Sequence, residues 1–161
     1  IPTTLQASLT ARLDRLEDVK EVAQLGATLG RAFSYELIRA VARLDEGGLQ
    51  ERLARLVDAD LLHQRGLPPH TSYLFKHALV QEAAYESLLK RERQEHHLRI
   101  AEVLVGQFAD VAATQPELVA HHYTEADSKP QAIVFWQRAG RRAVQRSAHA
   151  EAIRHLAMAH Q

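Results

Sequence analysis

Hydrophobic residues recur at helical spacing through most of this chain, and the spacing changes once. Leu5, Leu9, Leu13 and Leu16 follow Thr3 and Thr4, which can cap, so an amphipathic helix is expected over residues 4–16. A second helix is expected over 18–29, ending near Gly30, and Ser34 is placed to cap a third over 35–43, with Glu36 and Leu37 in its first turn. Gly47-Gly48 then opens a fourth, whose apolar stripe is Leu49, Leu53, Leu56, Val57 and Leu61. Here the period shortens. Residues 62–65 and 72–76 read as short strands on either side of Gly66-Leu67-Pro68-Pro69-His70, with Tyr73 and Phe75 on one face.

From His77 the helical period returns, with helices expected over 77–89, 90–109, 115–126, 130–146 and 148–161. Pro116 and Pro130 fall near helix starts, where proline is tolerated, and Ser147 is placed to cap the last helix. The fold class is therefore mainly α, with one β-hairpin between two helical modules. Residues 1–17 read as a linking helix, 18–89 as a winged-helix-like module and 90–161 as a helical region. Three short helices and a hairpin is the order of a winged helix-turn-helix; a helical bundle bearing a β-ribbon has the same order.

The last two helices carry a repeat signature. Trp136, Ala139, Gly140, Ala143, Ala152, Leu156 and Ala159 fall at the spacing of the tetratricopeptide pattern, with Ala in place of the usual Leu and Tyr at 139 and 143. Small residues at Ala139, Gly140 and Ala152 let two antiparallel helices approach, with Trp136 and Leu156 expected to fill the gap. Other antiparallel helix pairs use small residues in the same way.

Composition narrows the function. With 161 residues and 46% hydrophobic content the chain can bury a core, and 20 basic residues against 20 acidic ones leave no net charge. That balance argues against a protein built mainly to hold nucleic acid or an anionic membrane. The chain has no cysteine, hence no disulfide, thiolate nucleophile or Cys-ligated zinc, which fits a cytoplasmic setting. No apolar run reaches the ~20 residues of a membrane helix. Beginning at Ile1 and stopping at Gln161 within a helical pattern, the chain reads as a piece of a longer protein.

The segment from Tyr73 to Leu89, which contains His77, Leu79, Glu82, Tyr85 and Leu88, is the most informative. Together with His97, Ile100-Ala101, Ala120-His121-His122-Tyr123 and Trp136 before Ala139-Gly140, it resembles the STAND class of signal-transduction ATPases. The likeness is to bacterial regulators that join an adenylate or guanylate cyclase domain, a P-loop ATPase module and a tetratricopeptide region. It implies a place C-terminal to the ATPase core. It implies also that His77 reaches the β-phosphate of ADP through a His-Asp-Leu motif, with Ala78 standing here where many relatives have Asp. Under that resemblance the partners are the upstream ATPase module and proteins held by the helical repeats. ATP or ADP and magnesium belong to the parent protein, and this segment carries no cofactor of its own.

Other chemistry finds little support in the residues. No two of the ten histidines lie three or four apart, H-E-x-x-H is absent, and the glycines form no phosphate loop. His97, His121 and His122 read as packing or hydrogen-bonding residues, and no metal site is expected. There is no G-x-S-x-G elbow, so no self-contained active site is expected. His77, opening a helix after a strand, is either a phosphate contact or a plain helix cap. The alternative function is a DNA-binding winged-helix regulator, yet residues 46–60 carry Arg52 and Arg55 against Glu46, Glu51, Asp58 and Asp60. Arg138, Arg141, Arg142 and Arg146 form one basic stripe, a solvated face or a partner-binding one.

Overall fold

The structure is a computed structural model that describes residues 2–67 and 69–161, with side chains from residue 4 onward. The chain is mainly helical with a small antiparallel sheet, and it divides after Lys90 into two compact units.

The first unit contains α1 (Pro2–Asp14), α2 (Glu17–Leu29), β1 (Ala32–Ser34), α3 (Tyr35–Val41), α4 (Glu46–Asp58), β2 (Leu62–Arg65), β3 (Ser72–Phe75) and α5 (Ala78–Glu86). Its sheet has three strands in the order β1-β3-β2, not the two of the expected hairpin. The extra strand escaped the hydrophobic pattern because three residues show no period and only Phe33 among them is buried. Pairing makes it a strand: Phe33 lies opposite Tyr73, and the two rings stack with centroids 5.7 Å apart. Tyr73 and Phe75 do share the buried face, and Phe75 reaches the same Phe33 ring at 6.0 Å.

Ser34 caps α3 as expected, accepting from the Leu37 amide at 3.2 Å. The fourth helix starts differently from the reading. Asp45 is its cap, accepting from Gly48 N–H, so Gly47 and Gly48 lie inside the first turn and do not open it. Leu49, Leu53 and Leu56 are the buried stripe of α4, whereas Leu61 is buried beyond the helix end. Helix α1 spans Pro2–Asp14, so Thr4 lies within it; the Thr3 side chain and Pro68 lie outside the described residues. Residues 1–17 were expected to link, yet α1 packs on α2 and α5 of this unit through buried Leu9 and Leu13.

The second unit comprises α6 (Lys90–Gln107), α7 (Ala109–Thr114), α8 (Pro116–Glu125), α9 (Lys129–Gln145) and α10 (His149–Met158). The short α7 falls in the expected gap between two helices. Pro116 and Pro130 stand in the first turns of α8 and α9, where their missing N–H groups would have no helical partner anyway. Helix α9 packs against both α8 and α10, giving two successive helical hairpins.

The two hairpin turns are built alike. Asp127 and Ser147 each take a left-handed conformation, at φ 58° and 59°. The next amide reaches back, Ser128 to Tyr123 O and Ala148 to Ala143 O, both at 2.9 Å. These are Schellman caps occupied by residues other than the usual glycine. Ser147 therefore ends α9, and Ala148, not Ser147, precedes the first residue of α10, with no side-chain cap. A left-handed non-glycine residue costs ~1 kcal/mol. Ser147→Gly should raise stability by about 0.5–1 kcal/mol, read as a higher urea midpoint with unchanged slope.

Ala139, Gly140 and Ala152 are buried, and Leu156 closes over Gly140 at the surface. Half-buried Trp136 stacks on His155 of α10 and donates from Nε1 to Thr124 Oγ1 of α8 at 2.9 Å. Phe135 is buried on the α8 side, 5.7 Å from the Tyr123 ring.

Candidate functional site: a basic cleft around His77

Strand β3 delivers Lys76 and His77 to one end of the first unit. Its register is held on both sides there, with Phe75 N–H on Arg31 O at 2.9 Å and Lys76 N–H on Leu61 O at 3.1 Å. His77 then turns the chain into α5. It occupies the N-cap position in extended conformation, and its carbonyl accepts from Val80 N–H at 3.0 Å. Its side chain makes no capping bond and is exposed. The position is a cap, but the imidazole is left facing outward.

Around it lies a cleft of about 410 Å³ lined by Leu5, Leu9, Arg12, Arg31, Lys76, His77, Ala78 and Leu79. Three permanent cations and a titratable histidine thus ring the start of a helix, where the first amides have no helical acceptor and the dipole favours an anion. Two of the cations are positioned from elsewhere: Arg12 donates to Ala59 O at 2.6 Å, and Lys76 pairs with Asp60. The Asp60 carboxyl is held below its ordinary value first by its hydrogen bond from Lys76, with Arg12 and His77 adding smaller attractions. Asp60 offsets part of the positive charge without reversing it. The arrangement can hold an anion; among its described lining residues none is a nucleophile placed beside a base. Sequence reasoning found His77 and Leu79 but missed Arg12 and Arg31, because their approach depends on how α1 and the α2–β1 turn fold back.

Arg52 and Arg55 of α4 both bond within the first unit. Arg52 Nε donates to Asp18 O at 2.9 Å and Nη1 to Gly48 O at 3.1 Å, and Arg55 pairs with the Asp18 carboxylate. Both arginines serve the packing of α4 on the start of α2, and Arg55 in turn holds the Asp18 carboxyl below its ordinary value.

In the second unit, His97 of α6 and His122 of α8 meet as a buried pair, Nδ1 to Nδ1 at 2.8 Å, with His121 edge-on to both rings. Such a bond needs one ring to donate and the other to accept, so the two take opposite roles at Nδ1. Burial, with neighbouring histidines adding to it, lowers His97 to about 4 and His122 to about 3. Among the described residues no group of three or more His, Asp and Glu side chains is arranged to hold a metal ion.

The basic stripe of α9 is not uniform. Arg138 lies over the Phe135 ring at 4.6 Å, Arg142 buries its Nε, and Arg146 pairs with Glu151 at 2.9 Å. Arg138, Arg141 and Arg142 line one cleft, and Arg146 stands outside it. Among the described residues no helix is long and apolar enough to cross a membrane.

Comparison with known proteins adds one relative. The chain is 27% identical over 151 residues to an uncharacterised protein of Rhizobium meliloti (strain 1021), a stretch that covers 93% of this chain. It spans only 15% of that protein's length. No protein-family model matches the chain, and no solved structure matches it.

Proposed function

We propose that this chain is a non-catalytic regulatory and protein-interaction segment of a STAND-class signalling ATPase, acting in the cytoplasm. Its first unit senses the nucleotide held by an upstream ATPase module, and its helical second unit binds protein partners. The observation that carries the reading is the setting of His77: an exposed imidazole without a capping bond, at a helix N-terminus, beside Arg12, Arg31 and Lys76. A terminal phosphate of ADP brought to that cleft would meet hydrogen-bond donors and positive charge together. Ala78, where the related motif has Asp, is exposed. The match to a small part of a much longer protein suits a segment that works within a multidomain chain.

The test uses the full-length protein. Wild type should carry ADP through purification, and His77→Leu should lose most of it while keeping the same circular dichroism and melting temperature. Removing one charge-assisted hydrogen bond of about 1.5–3 kcal/mol corresponds to a roughly 10- to 150-fold weaker hold. Equal retention in two equally folded proteins returns His77 to a plain cap and removes the nucleotide-sensing role.

A further inference from the structure

The second unit has a cleft of its own, of about 450 Å³, between α6, α7 and one flank of α9. Its floor is apolar, from Val105, Ala112 and Phe135, and its wall is Arg138, Arg141 and Arg142; among the described lining residues there is no acid. We infer that this cleft docks an acidic, apolar-flanked segment of a partner protein, with carboxylates on the arginines and an apolar side chain on the floor. The inference rests on the protein-interaction half of the proposed function and is independent of His77.

Three observations select that occupant. The Arg138 guanidinium lies over the Phe135 ring, its Cζ 4.6 Å from the centroid, a cation–π contact that leaves its N–H donors for a ligand. Arg142 Nε is buried and has no hydrogen-bond partner, so a buried donor stands beside the cleft for an acceptor to satisfy. Arg138 and Arg142 are one helical turn apart with Arg141 between them, a spacing of about 6 Å that suits successive carboxylates along a peptide. Nucleic acid is a poorer fit, since Phe135 is buried and roofed by Arg138 and offers no open face for a base.

The experiment displays a random-sequence peptide library to the 161-residue chain. An enriched peptide is then titrated by fluorescence anisotropy against three proteins. These are the wild type, an Arg138→Gln/Arg141→Gln/Arg142→Gln variant, and Ala112→Trp, which fills the floor and leaves the charges in place. Peptides combining Asp or Glu with Leu, Ile or Phe should be enriched, and affinity should fall at least about tenfold in either folded variant. Circular dichroism identifies a variant that fails to fold, in which case the other decides. Three outcomes would overturn the inference: no acidic bias among the selected peptides, unchanged affinity in the folded variants, or tighter arginine-dependent binding of a single-stranded oligonucleotide or phosphatidylserine vesicles than of the peptide. ADP retention by the full-length protein is unaffected by any of these, so failure here leaves the role of His77 standing.

Discussion

Acidification from pH 7.5 to pH 5 should destabilise the second unit by about 2 kcal/mol for each of His97 and His122. Both are neutral in the folded protein, because burial lowers them to about 4 and about 3. In the unfolded chain both take up protons near the ordinary value of about 6.5. Between those values the unfolded state binds more protons, so stability falls with pH below about 6.5 and stops falling once the folded rings protonate. The carboxylates do not blur this window. Asp18, Asp60 and Glu151, held low by hydrogen bonds from Arg55, Lys76 and His155, lose their contributions only in the more acid range below their ordinary values.

The pair has a further property: one proton on the donor ring leaves the Nδ1–Nδ1 bond intact, whereas a second proton places two N–H groups face to face. Urea unfolding across the pH range, followed beside the imidazole resonances by NMR, checks the point. The His97 and His122 rings should remain neutral below pH 6. Ordinary titration of both rings in the folded chain would remove the effect.

Gly26→Val should destabilise the first unit by about 3 kcal/mol, and even Gly26→Ala should cost about 1 kcal/mol. An interior helical glycine ordinarily gains close to 1 kcal/mol on becoming alanine. Here an added Cβ would lie 2.7 Å from Phe33 Cε1 and 2.8 Å from Cζ. Phe33 has nowhere to retreat, since it is buried, stacked on Tyr73 and in contact with Phe75. The close approach of α2 to β1 therefore requires glycine. Gly106 provides the comparison, because a Cβ there would meet nothing within 4 Å; Gly106→Ala should stabilise by about 0.5–1 kcal/mol. Thermal melts of the three variants test the contrast, and a stabilised Gly26→Ala would show that the ring can move.

Much of the architecture was legible because the helices are amphipathic and the punctuation is local. Ser34, Pro116 and Pro130 act on their own neighbours, so their roles survive without knowledge of the fold. Leu49, Leu53 and Leu56 announce the buried face of α4 by spacing alone. Tyr73 and Phe75 announce one face of β3 in the same way.

What the chain's own pattern determined was a mainly helical protein with a short β interruption, and His77 at the point where strand gives way to helix. Tertiary structure alone decided the rest. Phe33 becomes a strand residue only by pairing with Tyr73, because three residues cannot hold an extended conformation without a neighbour. His97 and His122 become a neutral pair only when α6 and α8 bring them to 2.8 Å, since no spacing rule connects residues on separate helices. Arg12 and Arg31 join His77, and Arg138 separates from Arg146, for the same reason: charge in a sequence is an inventory, and a cleft is a matter of which charges the packing leaves facing one another.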